Sequence, residues 1–493
     1  MRHPIKERLH KLFHPRSVAF VGASDKPGKW GSIILGNLMR GNFSGAIYPI
    51  NPAQDEVQGL KAYARIGDLP ETPDLAVIVV PAEGVPGVID QCLAKGIKAG
   101  VVISAGFAEL GSEGERLERE MVDRARAGGM VLVGPNCNGI MRPPAKLHVA
   151  MPPVFPPPGP IAVVTQSGNV GTSIARRVMK MGFGVSCFVS SGNEADLHCE
   201  DYFQYLADDL ETKVILSYIE GFRDGGRFLE IAREVTRKKP LIILKAGFTS
   251  AGAKAALSHT AALAGSDTAF NGAIRQAGVI RAQDIDHLAQ IGVGFIRQPL
   301  PRGRRVGIVT VGGGWGVLAA DACSKAGLEV ICLPDETIAE LDRFMPSWWT
   351  RGNPVDLVAA LRPDHLWNSL KCLLQCEEVD GLLLLGIMPA LAVNPLTAST
   401  MPGFTGEWLQ ALVESIREAF ERIMEMAESH RKPIIVASEF PTSALDLENR
   451  MAATLGKMGC VCYYSPEDAA RVMADLASYA EYVNRSCEAF GSA

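Results

Sequence analysis

Short apolar runs recur through the first part of the chain, and stretches with helical periodicity separate them. The runs begin at Ser17, Ala46, Leu75, Gly100 and Val131. Apolar residues spaced along one helix face occupy residues 32–40, 87–95 and 113–127. Strands that alternate with helices in this way predict an α/β fold with a doubly wound, parallel sheet.

The residues that follow these predicted strands are small or favour special backbone conformations. They are residues 22–24, 51–52, 81–82, 104–106 and 135–136. In a doubly wound sheet, ligands bind beyond the carboxyl ends of the strands. We therefore expect a shallow crevice at this edge of the sheet, able to admit a nucleotide.

Two features of the crevice argue against NAD. Its first turn carries Gly22, Gly28 and Gly31, which is not the GxGxxG spacing. The second strand ends in Asn51-Pro52, without an acidic residue for the ribose hydroxyls. An NAD-dependent oxidoreductase is therefore excluded.

Two lysines in the first turn are candidate phosphate ligands, because a helix N-terminus follows them. The alternative is a solvated loop, which is the better interpretation for Lys26. Lys29 lies between Gly28 and Gly31, where a phosphate can approach the backbone, so we favour the binding role for Lys29.

The chain repeats itself after a proline-rich segment at 151–160, which indicates a domain boundary. Landmarks of the first copy begin at Ile161, Gly192, Val214 and Lys239, and those of the second copy at Val306, Gly352, Leu382 and Lys432. The same landmarks in the same order predict two similar α/β domains.

Each copy opens with a strand, a small-residue turn and a helix. The turns are Gln166-Ser167-Gly168-Asn169 and Gly312-Gly313-Gly314. Unpaired N–H groups and the helix dipole make each turn a candidate anion site. Ordinary βα turns are the alternative for either one alone, but the matched pair favours a phosphate held from two sides. Ser167 is not a hydrolase nucleophile, because Thr165 stands where that motif needs glycine.

One histidine lies in a run of small and polar residues, Ser258 to Asp267. Imidazole is a nucleophile at neutral pH and can carry a covalent group, so His259 is a candidate for such a role. An exposed histidine in a surface loop is the alternative. The other histidines lack small-residue surroundings, and we interpret them as structural or exposed.

Composition and charge exclude several classes of protein but do not identify a function. The chain has 493 residues, 47% of them hydrophobic, and a net charge of −5, with no long basic run, so nucleic acid is not an expected partner. The N-terminus lacks an apolar core, and the longest apolar run, 381–393, is too short to cross a membrane. The 11 cysteines form no CxxC pair. We expect reduced thiols, a cytoplasmic protein and no metal site.

The motifs VAFVGASDKPGKWG, IYPINP, DLAVIVVPAEGVP, VVISAGFAELGSEG and GPNCNGI resemble the CoA-binding domain of the NDP-forming acyl-CoA synthetases, relatives of succinyl-CoA synthetase. That family binds CoA on a Rossmann-like domain, which agrees with the missing acidic residue. The resemblance implies that coenzyme A contacts Gly22, Ser24, Lys29, Gly31, Asn51, Pro52, Pro81, Ser104, Gly106 and Asn136.

YIEG at 218–221 and the run from Lys245 to Arg281 resemble the phosphohistidine segment of the alpha subunits of ADP-forming acetate–CoA ligases. The resemblance implies that His259 is phosphorylated and that Glu220 fixes its tautomer. It also implies a Rossmann-like CoA-binding domain at 1–150 and two flavodoxin-like domains, at 151–300, which carries the phosphohistidine loop, and at 301–493.

The implied reaction interconverts acyl-CoA, ADP and phosphate with a carboxylic acid, CoA and ATP. No stretch resembles the ATP-grasp nucleotide site that this reaction needs, and no Walker loop occurs. An ATP-grasp beta subunit that binds the Mg-nucleotide is therefore the expected partner, in a hetero-oligomer or around a dimer of alpha chains. A non-catalytic sensor of CoA or acyl-CoA is the alternative.

Three features depart from the family pattern and bear on the acyl pocket. Trp315 stands where proline is usual, and Asn138 replaces a usual apolar residue. Residues 388–409 form an irregular insertion with three prolines.

Overall fold

The computed structural model describes residues 3–247, 252, 267–357, 363–386, 406–438 and 461–491. These residues fall into two compact units. Unit 1 takes in the described residues of 1–176 and 184–285, and unit 2 those of 177–183 and 286–493.

The first sheet of unit 1 has five parallel strands. The elements in chain order are α1 (His3–Phe13), β1 (Ser17–Val21), α2 (Trp30–Arg40), β2 (Ala46–Ile50), the two-residue strands β3 (Glu56–Val57) and β4 (Leu60–Lys61), β5 (Leu75–Ile78), α3 (Val85–Lys95), β6 (Ala99–Val102), α4 (Ser112–Ala127) and β7 (Val131–Val133). The strand order is β2-β1-β5-β6-β7. The order reverses between β1 and β5, which is where such sheets bind ligands.

Both faces of the first sheet are covered, as in other parallel sheets. Val18 and Phe20 of β1 join the apolar core on one face. Ala19 and Val21 join a second core on the other face. This double burial explains why the strands read as continuous apolar runs.

The second sheet of unit 1 has seven strands. Its elements are β8 (Gly139–Arg142), β9 (Leu147–Ala150), β10 (Pro158–Thr165), α5 (Gly168–Lys180), β11 (Val185–Ser190), α6 (Cys199–Asp208), β12 (Val214–Ile219), α7 (Gly225–Thr236), β13 (Leu241–Lys245), α8 (Asp267–Gln276) and β14 (Ile280–Arg281). The strand order is β14-β13-β12-β10-β11-β8-β9.

The β8–β9 hairpin links the two sheets of unit 1. It precedes the proline-rich segment in the chain, yet β8 pairs antiparallel with β11 of the second sheet. Helix α2 packs on the same hairpin, where the Asn37 amide donates to the carbonyls of Ala150 at 2.9 Å and Met151 at 3.2 Å. The residues just before the hairpin are therefore held beside both sheets.

The third sheet lies in unit 2. The remaining elements are α9 (Ile285–Arg297), β15 (Arg305–Thr310), α10 (Gly313–Lys325), β16 (Glu329–Val330), α11 (Asp335–Asp342), β17 (Val355–Asp356), α12 (Pro363–Gln375), β18 (Gly381–Leu385), α13 (Gly406–His430), β19 (Ile434–Ala437), β20 (Cys462–Tyr463) and α14 (Pro466–Gly491). The order is β16-β15-β18-β19-β20, and β17 also pairs with β15.

The internal repeat is confirmed at the level of topology. In the second sheet the parallel strands run β11-β10-β12-β13-β14, and in the third they run β16-β15-β18-β19-β20, so both have the flavodoxin-like order 2-1-3-4-5. The predicted fold class is confirmed, while the division at residues 150 and 300 stays a prediction. Of the predicted irregular insertion, residues 406–409 begin helix α13, and the rest lies outside the described residues.

Candidate functional site

A cavity of about 990 Å³ lies at the carboxyl ends of the strands of the first sheet. Nine of the ten residues predicted to contact CoA line this cavity: Gly22, Ser24, Lys29, Gly31, Asn51, Pro52, Pro81, Ser104 and Asn136. Gly106 does not line it. The fold therefore brings together residues from five separate segments of the chain, as the strand-end argument predicts.

The turn after β1 depends on two glycines that touch each other. Gly22 has φ +91°, and a Cβ there would lie 2.2 Å from the Val79 carbonyl oxygen. A Cβ on Gly31 would lie 2.0 Å from the Gly22 carbonyl oxygen. The start of α2 is therefore pressed against the end of β1, which aims its unpaired first-turn N–H groups at the cavity.

The cationic side of the cavity is the beginning of α2. Lys29 is the N-cap residue of the helix, and both Lys26 and Lys29 line the cavity. Trp30 follows and is 50% exposed although it lines the same cavity. A helix N-terminus with two ammonium groups and an exposed aromatic ring suits a phosphorylated nucleotide.

The far side of the cavity is held by backbone hydrogen bonds. Asn136 has φ +54° and follows the cis peptide bond between Gly134 and Pro135. Its N–H donates to the Ser104 carbonyl at 2.8 Å. Burial raises the pKa of the neighbouring Cys137 thiol to about 12, so this cysteine is not a thiolate nucleophile at neutral pH.

The turn between β10 and α5 is organised by one side chain, Gln166. Its Nε2 donates to Glu194 Oε2 and to the Gly221 carbonyl, both at 2.9 Å. Its Oε1 accepts from the N–H groups of Glu220 at 2.6 Å and Gly221 at 3.2 Å. Since this amide is fully engaged with the protein, anion binding by the turn would use the N–H groups at the start of α5.

Glu220 follows the last residue of β12, as the sequence predicts, and its backbone is pinned from two sides. Gln166 accepts from its N–H, and the Lys245 ammonium donates to its carbonyl at 2.6 Å. Its carboxylate also hydrogen-bonds Tyr218, and burial together with this carboxylate raises the pKa of that phenol to about 12. His259 lies outside the described residues, as do its immediate neighbours on both sides.

A buried carboxyl group that the sequence argument missed supports the turn. Glu194 is 5% exposed, and it accepts from Ser191 Oγ at 2.7 Å as well as from Gln166. The sequence signal that could have identified Glu194 is the comparison of the two copies. Glu194 lies within a landmark that the copies share, yet the second copy has Pro354 at that position, so the carboxyl group is specific to the first copy. Cavity-lining residues outside the predicted set include Trp30, Gln54, Gln91 and Asn138.

The α5 turn touches the cavity through Asn138. A Cβ on Gly168, the first residue of α5, would lie 2.1 Å from Asn138 Cγ. Asn138 also lines the cavity. The two candidate sites of unit 1 are therefore neighbours.

The matching turn of unit 2 has the same local hydrogen bond. Thr310 Oγ1 donates to the Gly312 carbonyl at 2.9 Å, as Thr165 Oγ1 donates to the Ser167 carbonyl at 2.8 Å. A Cβ on Gly312 or Gly314 would meet no atom within 4 Å. The Gly312 N–H donates to Thr310 Oγ1 at 3.2 Å, while Gly313 and Gly314 are exposed, so the N–H groups of these two glycines are accessible to an anion.

The described ranges contain no cluster of three or more His, Cys, Asp or Glu side chains placed to hold a metal ion. None of their helices combines the length and the apolar character needed to span a membrane.

Three family models match successive parts of the chain: a CoA binding domain at residues 16–143, a succinyl-CoA ligase like flavodoxin domain at 158–294 and a ligase-CoA domain at 306–412. The chain is 39% identical over 475 residues to the alpha subunit of acetate–CoA ligase (ADP-forming) II of Pyrococcus furiosus, across 96% of this chain and 98% of the relative. It is 41% identical over 375 residues to acetate–CoA ligase (ADP-forming) I of Archaeoglobus fulgidus, across 76% of this chain and 54% of the relative.

A solved structure is similar over nearly the whole chain. It is the dinucleotide forming acetyl-coenzyme A synthetase 1 of Ca. Korarchaeum cryptofilum, in complex with phosphate and ADP. The TM-score is 0.82 at 34% identity, and the match covers 97% of this chain and 98% of that chain. The chain belongs to the family of the alpha subunits of ADP-forming acetate–CoA ligases.

Proposed function

We propose that this chain is the CoA-binding and phosphate-carrying subunit of an ADP-forming acyl-CoA ligase. It interconverts acyl-CoA, ADP and phosphate with a carboxylic acid, CoA and ATP, through an acyl phosphate and a phosphohistidine. The observation that carries the proposal is the contact between the two candidate sites of unit 1, where cavity-lining Asn138 packs on Gly168 at the N-terminus of α5.

The first step is transfer of the acyl group from CoA to phosphate. A phosphate oxygen attacks the thioester carbon, the carbon–sulfur bond breaks, and CoA leaves as the acyl phosphate forms. Phosphate held by the first N–H groups of α5, at Ser167 to Asn169, would be beside the cavity that receives CoA. The helix N-terminus stabilises the negative charge without reorganisation.

The second step moves the phosphoryl group to His259. An imidazole nitrogen attacks phosphorus, the bond to the acyl oxygen breaks, and the carboxylate leaves. Glu220 supports this role because the contacts of Gln166 and Lys245 fix its backbone at the end of β12. A carboxylate that accepts from the other ring nitrogen fixes the tautomer and stabilises the charged ring.

The third step needs a second protein. The chain spans only 54% of the Archaeoglobus fulgidus relative, which is not named as a subunit, so the rest of that relative has no counterpart here. We propose that an ATP-grasp beta subunit supplies this part, binds the Mg-nucleotide and takes the phosphoryl group from His259, within a hetero-oligomer. Turn Gly312–Gly314 of unit 2 is a second candidate site for the phosphoryl group, because it also opens a helix with unpaired N–H groups.

The proposal also includes a division into domains and a cellular location. The three sheets support a division into a CoA-binding domain, 1–150, and two ligase domains, 151–300 and 301–493, although the β8–β9 hairpin pairs with the second sheet. A cytoplasmic location is supported by nine cysteines that are all free in the described ranges.

Labelling of the purified two-subunit complex with γ-³²P-ATP tests the central step. Wild-type complex should acquire a label on this chain that survives alkali and is lost in acid, and H259A should acquire none. E220Q should slow labelling by roughly 10- to 100-fold, because an orienting carboxylate is lost. H10A, which changes an exposed histidine of α1, is the matched control and should label normally.

Label on H259A would contradict the proposal. Binding of CoA without any label on the wild-type chain would instead favour the sensor.

A further inference from the structure

Asn138 is held in place by its backbone while its side chain stays uncommitted. Its N–H donates to Ser190 Oγ at 3.0 Å, and its carbonyl accepts from the Met151 N–H at 2.9 Å. The side chain is half-buried, and within the described part of the chain no hydrogen bond engages its amide. The side-chain amide of Asn138 therefore has a donor and an acceptor available to a ligand, on a backbone that is held in place.

The surroundings of this amide belong to both candidate sites. Asn138 lines the cavity of the first sheet, and its Cγ and Nδ2 would lie 2.1 Å and 2.2 Å from a Cβ on Gly168. Its side chain therefore rests on the first residue of α5, where phosphate is proposed to bind.

The reaction places the acyl group at this junction. The acyl carbon must reach both the CoA sulfur and a phosphate oxygen, so it lies between the cavity and the α5 turn. An aliphatic acyl chain against this amide leaves a partly desolvated polar group without a partner, which costs binding energy. An acyl chain with a hydroxyl group supplies that partner, and the cost disappears.

The cavity residues next to Asn138 favour an uncharged substituent on the acyl group. The neighbouring cavity residues, Cys137 and Met151, bring no cation, and the cavity's lysines, Lys26 and Lys29, come from a separate segment, the loop before α2. A second carboxylate at Asn138 would lack a counter-charge, whereas a hydroxyl group can both donate to and accept from an amide.

We infer that Asn138 is a specificity-determining residue that makes the enzyme prefer hydroxy-substituted carboxylic acids over unsubstituted acids of the same length. The inference rests on the proposed function and names the substrate class of the same site. It does not require Asn138 to take part in bond making.

The test compares matched acids on the reconstituted complex. Acyl-CoA formation is measured for acetate against glycolate, propionate against lactate and 3-hydroxypropionate, and butyrate against 3- and 4-hydroxybutyrate, with succinate as the charged probe. Wild type should prefer the hydroxy acid in at least one pair. N138L should lower kcat/KM for that hydroxy acid by about 10- to 100-fold relative to the unsubstituted acid of the pair, because one hydrogen bond to the substrate is lost.

N138S is the second variant, because its smaller side chain cannot crowd Gly168. It should also lower the preference for the hydroxy acid over its unsubstituted partner. An unchanged ratio of hydroxy to unsubstituted acid, an equal loss for both acids, or a preference for succinate would overturn the inference. Absence of acyl-CoA from every acid with wild-type complex would instead contradict the proposed function.

Discussion

Glu194 shows how one buried residue can set a pH dependence. Burial raises the pKa of its carboxyl group from 4.5 to about 7. Ser191 Oγ has one proton but two acceptors, Glu194 Oε1 at 2.7 Å and the Thr165 carbonyl at 3.1 Å. When Glu194 is protonated, the first hydrogen bond can reverse, so that the carboxyl group donates to Ser191 Oγ and the hydroxyl donates to Thr165. Among the described residues no cation forms an ion pair with Glu194, and Arg223 acts on it only through space.

The free energy of unfolding should therefore fall as pH rises from about 4.5 to 7. In that window the folded state holds a proton on Glu194 and the unfolded state does not, so raising the pH favours unfolding. A pKa difference of this size corresponds to about 3 kcal/mol at pH 8. E194Q keeps the shape and the neutral hydrogen bonds, so it should raise the Tm by several degrees at pH 8 and leave it nearly unchanged at pH 5.

Thermal unfolding followed by circular dichroism at both pH values makes the measurement. E118Q is the matched control, since Glu118 accepts from Asn193 at 2.9 Å and faces Arg223 at 3.9 Å. Loss of that charge should not stabilise the protein at pH 8. An equal effect of E194Q at pH 5 and pH 8 would contradict a neutral Glu194 in the folded state.

At the scale of elements, the turn between β1 and α2 places the strictest requirement on residue size. Gly22 and Gly31 leave no room for a Cβ, because backbone oxygens lie within 2.2 Å of the position that it would take. The N-terminus of α2 can point at the cavity only while both residues are glycine.

G31A should destabilise the protein by about 1–3 kcal/mol, through overpacking against a backbone that cannot move aside. It should also weaken CoA binding by more than about 10-fold, because the helix start is displaced from the phosphates. G87A is the control, since Gly87 is exposed on α3 and a Cβ there meets no atom within 4 Å. That variant should be neutral or stabilising by up to about 1 kcal/mol.

Denaturant titration and calorimetric CoA binding provide the two measurements. Wild-type stability and CoA affinity in G31A would show that the turn relaxes without cost.

The repeat explains why two turns of different sequence share one geometry. Thr165 and Thr310 end equivalent strands, and each hydroxyl donates to the carbonyl two residues later. Gly171 and Gly316 lie at equivalent helix positions, and a Cβ on either would press on that threonine's methyl group. A local motif can therefore be recognised from sequence in both copies, even though the residues between differ.

At the scale of the whole molecule, the cavity proposed for CoA draws on one part of the chain. Among the described residues, all those that line it fall between Val21 and Met151, within unit 1. We expect this chain without its partner to bind CoA with an affinity within about 3-fold of that of the complex, because the described lining of the cavity comes from this chain alone. Isothermal titration of both samples makes the comparison, and a loss above 10-fold without the partner would contradict it.

The same titration tests the phosphate contact. K29Q should weaken CoA binding by roughly 5- to 30-fold at low salt, and the loss should shrink as salt screens the charge. K213Q is the charge-matched control, because Lys213 is exposed and precedes β12, at the amino edge of the second sheet. An equal effect of both variants would indicate a general charge effect.

Periodicity and strand-end chemistry alone determined the α/β class, the tandem repeat and most of the cavity, because these follow from local order along the chain. Runs of apolar residues bury on a sheet, and parallel strands bring their carboxyl ends to one edge. Nine of the ten residues that the family resemblance assigned to CoA line the cavity at that edge.

Tertiary structure decided which side chains are free to act. The Gln166 amide is consumed by Glu194 and the Glu220 backbone, the Asn138 amide is left open beside Gly168, and Gly106 misses the cavity. The β8–β9 hairpin also joins a sheet that follows it in sequence. These outcomes depend on contacts between residues far apart in the chain, which local propensity does not encode.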